Sequence, residues 1–255
     1  MTGSIRERPF EQTSPQEADW FEEWFGVDYL RIYQHRDESD AERAIGLIER
    51  NLAGRRIDAV LDLACGAGRH TRILEERWWT VGLDLSMALL RVARRETRDS
   101  PYVRADMREL PFGADSFDLV VNLFTSFGYF DDDREHVRVL DCVGAAMTPG
   151  GTLVIDFLNA AQVRDTLVPY DERVENGITV EQRRQISPDN RFVEKKITLR
   201  ERGKEYIERV RLLSPKDLER MLITAGFQVV KLFGDYEGSG WSESSPRTIM
   251  FASRQ

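Results

Sequence analysis

From Val60 onward, short apolar runs alternate with segments whose apolar positions recur every three or four residues. The runs at 60–63, 80–83, 102–105, 117–123 and 152–158 predict strands, and 69–76, 86–97 and 134–147 predict helices between them. The strands lack a clean apolar/polar alternation, as strands covered on both faces do. This rhythm predicts an α/β fold with a mostly parallel sheet and crossover helices on both sides. In the last helix, Val137, Leu140, Val143, Gly144 and Met147 form one stripe, and Thr148-Pro149-Gly150-Gly151 stops it.

Towards the C-terminus, Ser214-Pro215-Lys216-Asp217 combines an N-cap, a proline at the first helical position and an acid three residues after the cap. Leu218, Met221, Leu222 and Ala225 predict the buried stripe of that helix, and Gly226 its end. Strands at 227–233 and 248–252 are then expected to pair as an antiparallel hairpin at one sheet edge. Segment 160–213 has a different pattern. Extended stretches at 179–186, 191–199 and 205–212, joined by turn residues, predict an antiparallel meander inserted into the core. The expected organisation is an N-terminal helical arm (1–54), an α/β core (55–159), the β insertion (160–213) and a C-terminal helix with hairpin completing the core (214–255).

Charge changes this picture in two ways. The arm carries six Lys/Arg against twelve Asp/Glu, and the insertion twelve against ten. Such opposite balances predict that the two dock, although solvated surfaces would carry the same charges. Over all 255 residues the net charge is −8, which speaks against non-specific nucleic-acid binding, an affinity that rests on Lys and Arg neutralising phosphates. The arm also places Trp20, Phe21, Trp24, Phe25, Tyr29 and Tyr33 at helical spacing. That face is read as packing, as a lid over a ligand, or as both. Two cysteines, Cys65 and Cys142, exclude a disulfide framework or a cysteine zinc cluster, and fit a reducing cytoplasm. Segment 1–17 is polar, and no apolar run approaches the length of a bilayer span, so neither secretion nor membrane insertion is expected.

The chemistry-bearing stretch is Val60-Leu61-Asp62-Leu63-Ala64-Cys65-Gly66-Ala67-Gly68-Arg69, an apolar strand running into a glycine turn. Glycine has no Cβ, so a ligand can lie against the backbone there. Asp84, sixteen residues beyond Gly68 in Gly82-Leu83-Asp84-Leu85-Ser86, stands where a doubly wound fold puts a carboxylate that accepts from ribose hydroxyls. Together they predict an adenosine-containing cofactor. Thr71 stands where a dinucleotide fingerprint has its third glycine, which disfavours a nicotinamide enzyme. Cys65 fills a tight turn and is not read as a nucleophile. His70 is read as a capping or solvent contact, and His35 and His136 form no metal spacing, so no metal is expected. Arg91, Arg94, Arg95 and Arg98 are read as a solvated helix face.

These stretches, with Ala105-Asp106-Met107-Arg108-Glu109-Leu110-Pro111-Phe112, Phe117-Asp118-Leu119-Val120-Val121-Asn122 and Pro149-Gly150-Gly151, resemble the class I S-adenosylmethionine-dependent methyltransferases of small-molecule type. The resemblance covers about 55–159 and 214–255. It implies a doubly wound, seven-stranded Rossmann-like sheet and S-adenosylmethionine as cofactor. It also implies that Ala64, Gly66 and Gly68 hold the methionine end, Asp84 the ribose, and Asp106 with Met107 the adenine. Leu85 and Met87 are candidates for covering the ring, with core packing as the alternative. Asp62 is expected either to reach the cofactor's amino group or to brace the loop. Asn122, Leu123 and Phe124 would line the methyl-transfer site. Tyr29, Tyr33 and Arg36 lie in an arm similar to one that closes over the cofactor. Arg36 is a candidate partner for the methionine carboxylate, or else for Asp37 or Glu38. Trp78-Trp79 replaces a usual helix-ending glycine, which leaves the start of the second strand open.

The implied reaction is in-line displacement at the sulfonium methyl by a small-molecule nucleophile, for which alignment and exclusion of water matter more than a dedicated base. Tyr33, Asn122 and Tyr129 are the candidate catalytic residues; His35 and Asn159 are further polar groups near the strand ends. Acceptor choice is expected to rest on Phe157, Asn159 and the meander. Two other functions compete: a non-catalytic sensor of the cofactor and a nicotinamide oxidoreductase. The fourth strand reads Asn122-Leu123-Phe124-Thr125, without the Pro-Pro-aromatic pattern of many nucleic-acid methyltransferases.

Overall fold

The computed structural model describes residues 20–33, 38–97 and 99–255. Three helices come first, α1 (Trp20–Trp24), α2 (Val27–Ile32) and α3 (Glu38–Leu52). The core follows as β1 (Ala59–Leu63), α4 (Arg69–Leu74), β2 (Trp79–Asp84), α5 (Met87–Glu96), β3 (Tyr102–Arg104), β4 (Phe117–Asn122), α6 (Asp133–Ala146) and β5 (Met147–Leu158). Then come α7 (Ala160–Thr166), β6 (Tyr170–Glu175), β7 (Ile178–Ile186), β8 (Phe192–Leu199) and β9 (Lys204–Arg211), before α8 (Pro215–Thr224), β10 (Phe227–Phe233) and β11 (Arg247–Arg254).

Seven strands form one sheet in the order β10-β11-β5-β4-β1-β2-β3, with β11 antiparallel to its neighbours. This is the expected doubly wound α/β architecture, with the C-terminal hairpin forming one edge. Neighbouring strand residues bury to opposite faces. Leu61, Val120 and Leu153 pack with α6 and α8, while Val60, Leu119, Val121 and Val154 pack with α3. The capping box at Ser214 forms in full. Thr148–Gly151 does end α6, but it then lies within β5, because Phe117 pairs with Met147 and Leu119 only with Thr152. The second strand starts at Trp79 without a glycine. There β2 and β3 lie so close that a Cβ on Gly82 would stand 2.4 Å from Tyr102 Cε1 and 3.0 Å from Cys65 Sγ.

The insertion is a four-stranded antiparallel sheet, β6-β7-β8-β9, one strand more than the sequence predicted. Its acidic counterpart in the arm docks on it. Asp28, 5% exposed, accepts from Tyr206 Oη at 2.7 Å and Lys204 Nζ at 2.9 Å, and pairs with Arg202. Burial disfavours its charged form, but Tyr206 and Lys204 outweigh that and hold the carboxyl below the usual carboxylate value. Trp24, fully buried, packs on Tyr206 with ring centroids 4.9 Å apart.

α6 also carries a buried histidine. His136 lies edge-on to Phe127 and Phe130, with ring centroids at 5.0 and 5.2 Å. Burial pushes its imidazole down to about 4, despite Asp133 nearby. Its folded-state value lies below the ordinary 6.5, so the unfolded chain takes up more protons once the pH falls below that value. The stability His136 contributes is present above 6.5 and lost as the pH falls towards 4. His136→Phe is expected to remove an acid-dependent loss on the order of 3 kcal/mol, read by urea unfolding of both proteins at about pH 7 and about pH 4. Identical pH dependence in the two proteins would contradict this.

Candidate active site

The chain leaves β1 through Ala64 and Gly66 in the left-handed region, with φ of 61° and 57°. That turn is tied to the end of β2. Cys65 N donates to Leu83 O at 2.9 Å, and Gly66 N donates to Asp84 Oδ2 at 2.8 Å. Asp84 Oδ1 accepts from Ser86 N at 2.8 Å, so one carboxylate braces both strand-end loops. Burial raises the Asp84 pKa, partly offset by those amides. The backbones of Gly66, Ser86 and Leu85 thereby engage part of the roughly four acceptor sites of a carboxylate, and capacity remains.

In this strand order, β1 leads to β2 and β3 on one side while β4, beside β1, leads to β5 on the other. A ligand crevice belongs at such a reversal, outside the carboxyl ends of the strands. A cavity of about 930 Å³ opens there. The loops after β1 to β4 form its floor. Phe25, Tyr29 and Tyr33 from the arm and Val193, Lys195, Glu208 and Val210 from the insertion form its roof.

Ten of the expected site residues face this cavity: Tyr29, Tyr33, Ala64, Gly66, Asp84, Leu85, Asp106, Met107, Leu123 and Tyr129. Met87, 41% exposed, lines it too rather than packing in the core. Arg36 and His35 lie outside the described residues. Three residues stand behind the wall. Asp62, buried, accepts from Thr71 Oγ1 at 2.6 Å, and burial pushes its carboxyl up to about 7 against that bond. Gly68 caps α4 with its Cα against α5, where a Cβ would meet Tyr102 Oη at 2.8 Å and Ala93 Cβ at 2.9 Å. Asn122, also buried, donates from Nδ2 to Leu63 O at 2.9 Å.

Other expectations are corrected. Phe157 is fully buried in the core, and Asn159 donates to Ser242, Glu243 and Ser245 carbonyls while capping α7, so neither lines the cavity. The Asn159 amide is consumed in anchoring the loop between β10 and β11, and the Phe157 ring in packing the core. His70, expected as a capping or solvent contact, is 6% exposed and lines the cavity beside Arg69. Asp106 is clamped by Arg108, which donates to both of its oxygens, with Nη2 2.6 Å from Oδ2. Burial disfavours its charge, but Arg108 prevails and holds it below the usual value. Cys65 is inert, its thiol pushed well up by burial.

The sequence reading missed how the turn after β4 is built. Phe124 and Thr125 both take left-handed backbones, with φ of 62° and 66°, a costly conformation for bulky and β-branched residues. A fully buried Asp156 holds them there. Its Oδ2 accepts from Phe124 N at 2.9 Å and from Tyr236 Oη at 2.8 Å, and its carbonyl accepts from Thr125 N at 2.9 Å. Arg247 Nε donates to Asp156 Oδ1 at 2.7 Å. The Phe124 ring is thereby set at the cavity wall with Arg69 at 4.6 Å and Arg247 at 5.5 Å from its centroid.

The expected cofactor can be tested against this geometry. A Cβ built on Gly66 meets only Leu89 Cδ1, at 3.9 Å, so the peptide there borders open cavity space. Asp84 adds free acceptor capacity, and Leu85 and Met87 add apolar surface on the same wall. An adenosine carrying an amino-acid tail matches that set of open backbone, ribose acceptor and ring cover.

Residues 60–151 match the family described as "Methyltransferase domain". A dTDP-3-amino-3,6-dideoxy-alpha-D-glucopyranose N,N-dimethyltransferase of Streptomyces fradiae is 33% identical over 132 residues, 51% of this chain and 48% of that protein. The chain thus spans about half the length of that relative. A glycine/sarcosine N-methyltransferase of Parasynechococcus marenigrum (strain WH8102) is 27% identical over 252 residues, 92% of this chain and 83% of that protein. Among solved structures, the CcbJ methyltransferase from Streptomyces caelestis superposes with a TM-score of 0.76 at 18% identity, covering 93% of this chain and all of that one.

Proposed function

We propose that this chain, a member of the class I S-adenosylmethionine-dependent methyltransferases, moves a methyl group onto a nitrogen or oxygen of a small molecule. The observation that carries this reading is the single cavity in which Gly66 and Asp84 face side chains of the inserted sheet. At about 930 Å³ it lies near the upper end of ligand-pocket sizes, room for a cofactor and an acceptor together. Two of the three similar proteins named above are called N-methyltransferases, which favours nitrogen.

In this reading Ala64 and Gly66 take the methionine end, Asp84 the ribose hydroxyls, and Asp106, Met107, Leu85 and Met87 the adenine, with Tyr29 and Leu123 closing the sides. When bound, S-adenosylmethionine supplies a methyl activated by positive sulfur. The chain's part is to align the acceptor and exclude water. α1, α2 and the insertion cover the strand ends, so the arm both packs and roofs the site. Tyr33, whose Oη accepts from Gln182 Nε2 at 3.0 Å, and Tyr129, stacked near Phe25 at 5.6 Å, are the polar groups placed to orient an acceptor. Asn122 supports β1 from behind.

The same reading divides the chain into arm, core, acceptor roof and closing hairpin at 1–54, 55–159, 160–213 and 214–255. Both cysteines are free, which suits a cytoplasmic enzyme. No helix among the described residues is long and apolar enough to cross a membrane. With a net charge of −8, neither nucleic acid nor a membrane is the proposed partner.

The test is incubation with methyl-labelled S-adenosylmethionine and pooled small amines and polyols. Label in an extractable small-molecule product is expected. Label that stays on the cofactor across the pool, while binding is intact, would favour the sensor.

A further inference from the structure

Where the roof lines the cavity, it carries one charged rung beside an apolar one. Across β8 and β9, Val193 pairs with Val210, Lys195 with Glu208, and Ile197 with Tyr206. Alternation puts these three rungs on the same side of the sheet, and Lys195 and Glu208 line the cavity. Their ion pair is 2.7 Å long at 18% and 21% side-chain exposure. Half-buried ion pairs in such a place add little stability over an apolar rung, so packing does not account for this one.

Geometry shows what the rung leaves over. Lys195 Nζ and Trp24 Nε1, the latter at 3.2 Å, both reach Oε2 of Glu208. Both contacts fall on one oxygen of a side chain that stands on the cavity wall. Around it the same cavity is lined by Phe25, Tyr29, Tyr33 and Tyr129. Aromatic faces carry negative potential and attract cations, and a carboxylate oxygen beside them adds a charge-assisted acceptor. The strand that carries Glu208 is tied to the loop that follows β4, because Arg211 N, three residues beyond Glu208, donates to Gly128 O at 2.8 Å.

We infer that Glu208 is an acceptor-binding residue, and that the methyl acceptor is a small amine recruited as its ammonium ion by the Glu208 carboxylate among these rings; it gives one proton to solvent before its nitrogen lone pair takes the methyl and S-adenosylhomocysteine leaves. This rests on the methyltransferase reading and narrows it from a nitrogen or oxygen nucleophile to an amine. Trp24 and Lys195 hold the carboxylate in place.

The experiment is calorimetry on the full chain saturated with S-adenosylhomocysteine, with two matched probe pairs: cyclohexylamine against cyclohexanol, and glucosamine against glucose. The wild type is expected to favour the amine by at least about tenfold. Glu208→Gln keeps the shape and the Trp24 bond; it is expected to erase that preference and to bind S-adenosylhomocysteine within about twofold of wild type. Lys195→Met, which breaks the ion pair but leaves the carboxylate, is expected to keep the preference. Equal or absent responses to amine and alcohol in the wild type would overturn the inference, as would an unchanged preference in Glu208→Gln. So would a tenfold loss of S-adenosylhomocysteine affinity in that variant, which would put the carboxylate on the cofactor. If the wild type binds no S-adenosylhomocysteine yet shows a Glu208-dependent amine preference, the methyltransferase reading falls and the amine site stands.

Discussion

Gly66→Val is expected to abolish S-adenosylhomocysteine binding, by at least about a hundredfold, while leaving a folded protein. The two effects separate because of where the side chain goes. A Cβ at Gly66 meets nothing closer than Leu89 Cδ1 at 3.9 Å, so valine would stand in the cavity rather than in the core. Its cost to the fold is the left-handed backbone, φ +57°, roughly 1–3 kcal/mol for a β-branched residue. Gly82 is the contrasting case. There a Cβ would lie 2.4 Å from the Tyr102 ring, so valine has to displace β3 and the fold itself should fail. Circular dichroism with calorimetry on both variants checks the pair. Retained affinity in a folded Gly66→Val protein would show that the turn does not face the ligand.

Asp156→Ala is expected to destabilise the protein by about 3–5 kcal/mol, because it strands the Arg247 guanidinium beside a buried site. It also removes the acceptor of Phe124 N and Tyr236 Oη, while the backbone carbonyl that accepts from Thr125 N stays. The left-handed turn loses its side-chain anchor, so Phe124 should leave its place at the cavity wall. Urea unfolding measures the loss. Adding Arg247→Met should recover part of it, because no unpaired charge then remains. A loss below about 1 kcal/mol for the single variant would mean that the ion pair is not what holds the turn.

Much of this was readable along the chain, for physical reasons that differ by element. The runs at 60–63 and 80–83 are apolar on both faces because helices cover both faces, and Gly68 between them marks a close approach that no side chain permits. The capping box at Ser214 and the stripe after it are local devices, visible within a few residues. Opposite charge in the arm and the insertion pointed to docking or to solvated surfaces, and the Asp28 cluster with Lys204 and Tyr206 is where the two dock.

What was missed depends on contacts between distant segments. β6 reads Tyr-Asp-Glu-Arg-Val-Glu, an edge strand kept polar by its exposure, with none of the apolar signal used to find the others. Asp156 and Arg247 meet only because β11 inserts beside β5, which brings together residues 91 apart. Asn159 and Phe157 have the right chemistry near a strand end, yet one is spent on three carbonyls and the other is sealed in the core. The Lys195–Glu208 rung needs the β8–β9 register, which composition alone does not set.

The central claim is that Asp84 and the Gly66 turn form the seat of an adenosyl cofactor, and titration of S-adenosylhomocysteine into wild type and Asp84→Ala tests it most directly. Saturable binding to the wild type is expected, weakened by about 1–3 kcal/mol in the variant as the charge-assisted bonds to the ribose are lost. Absence of binding to the wild type, or the same dissociation constant in both proteins, would contradict it.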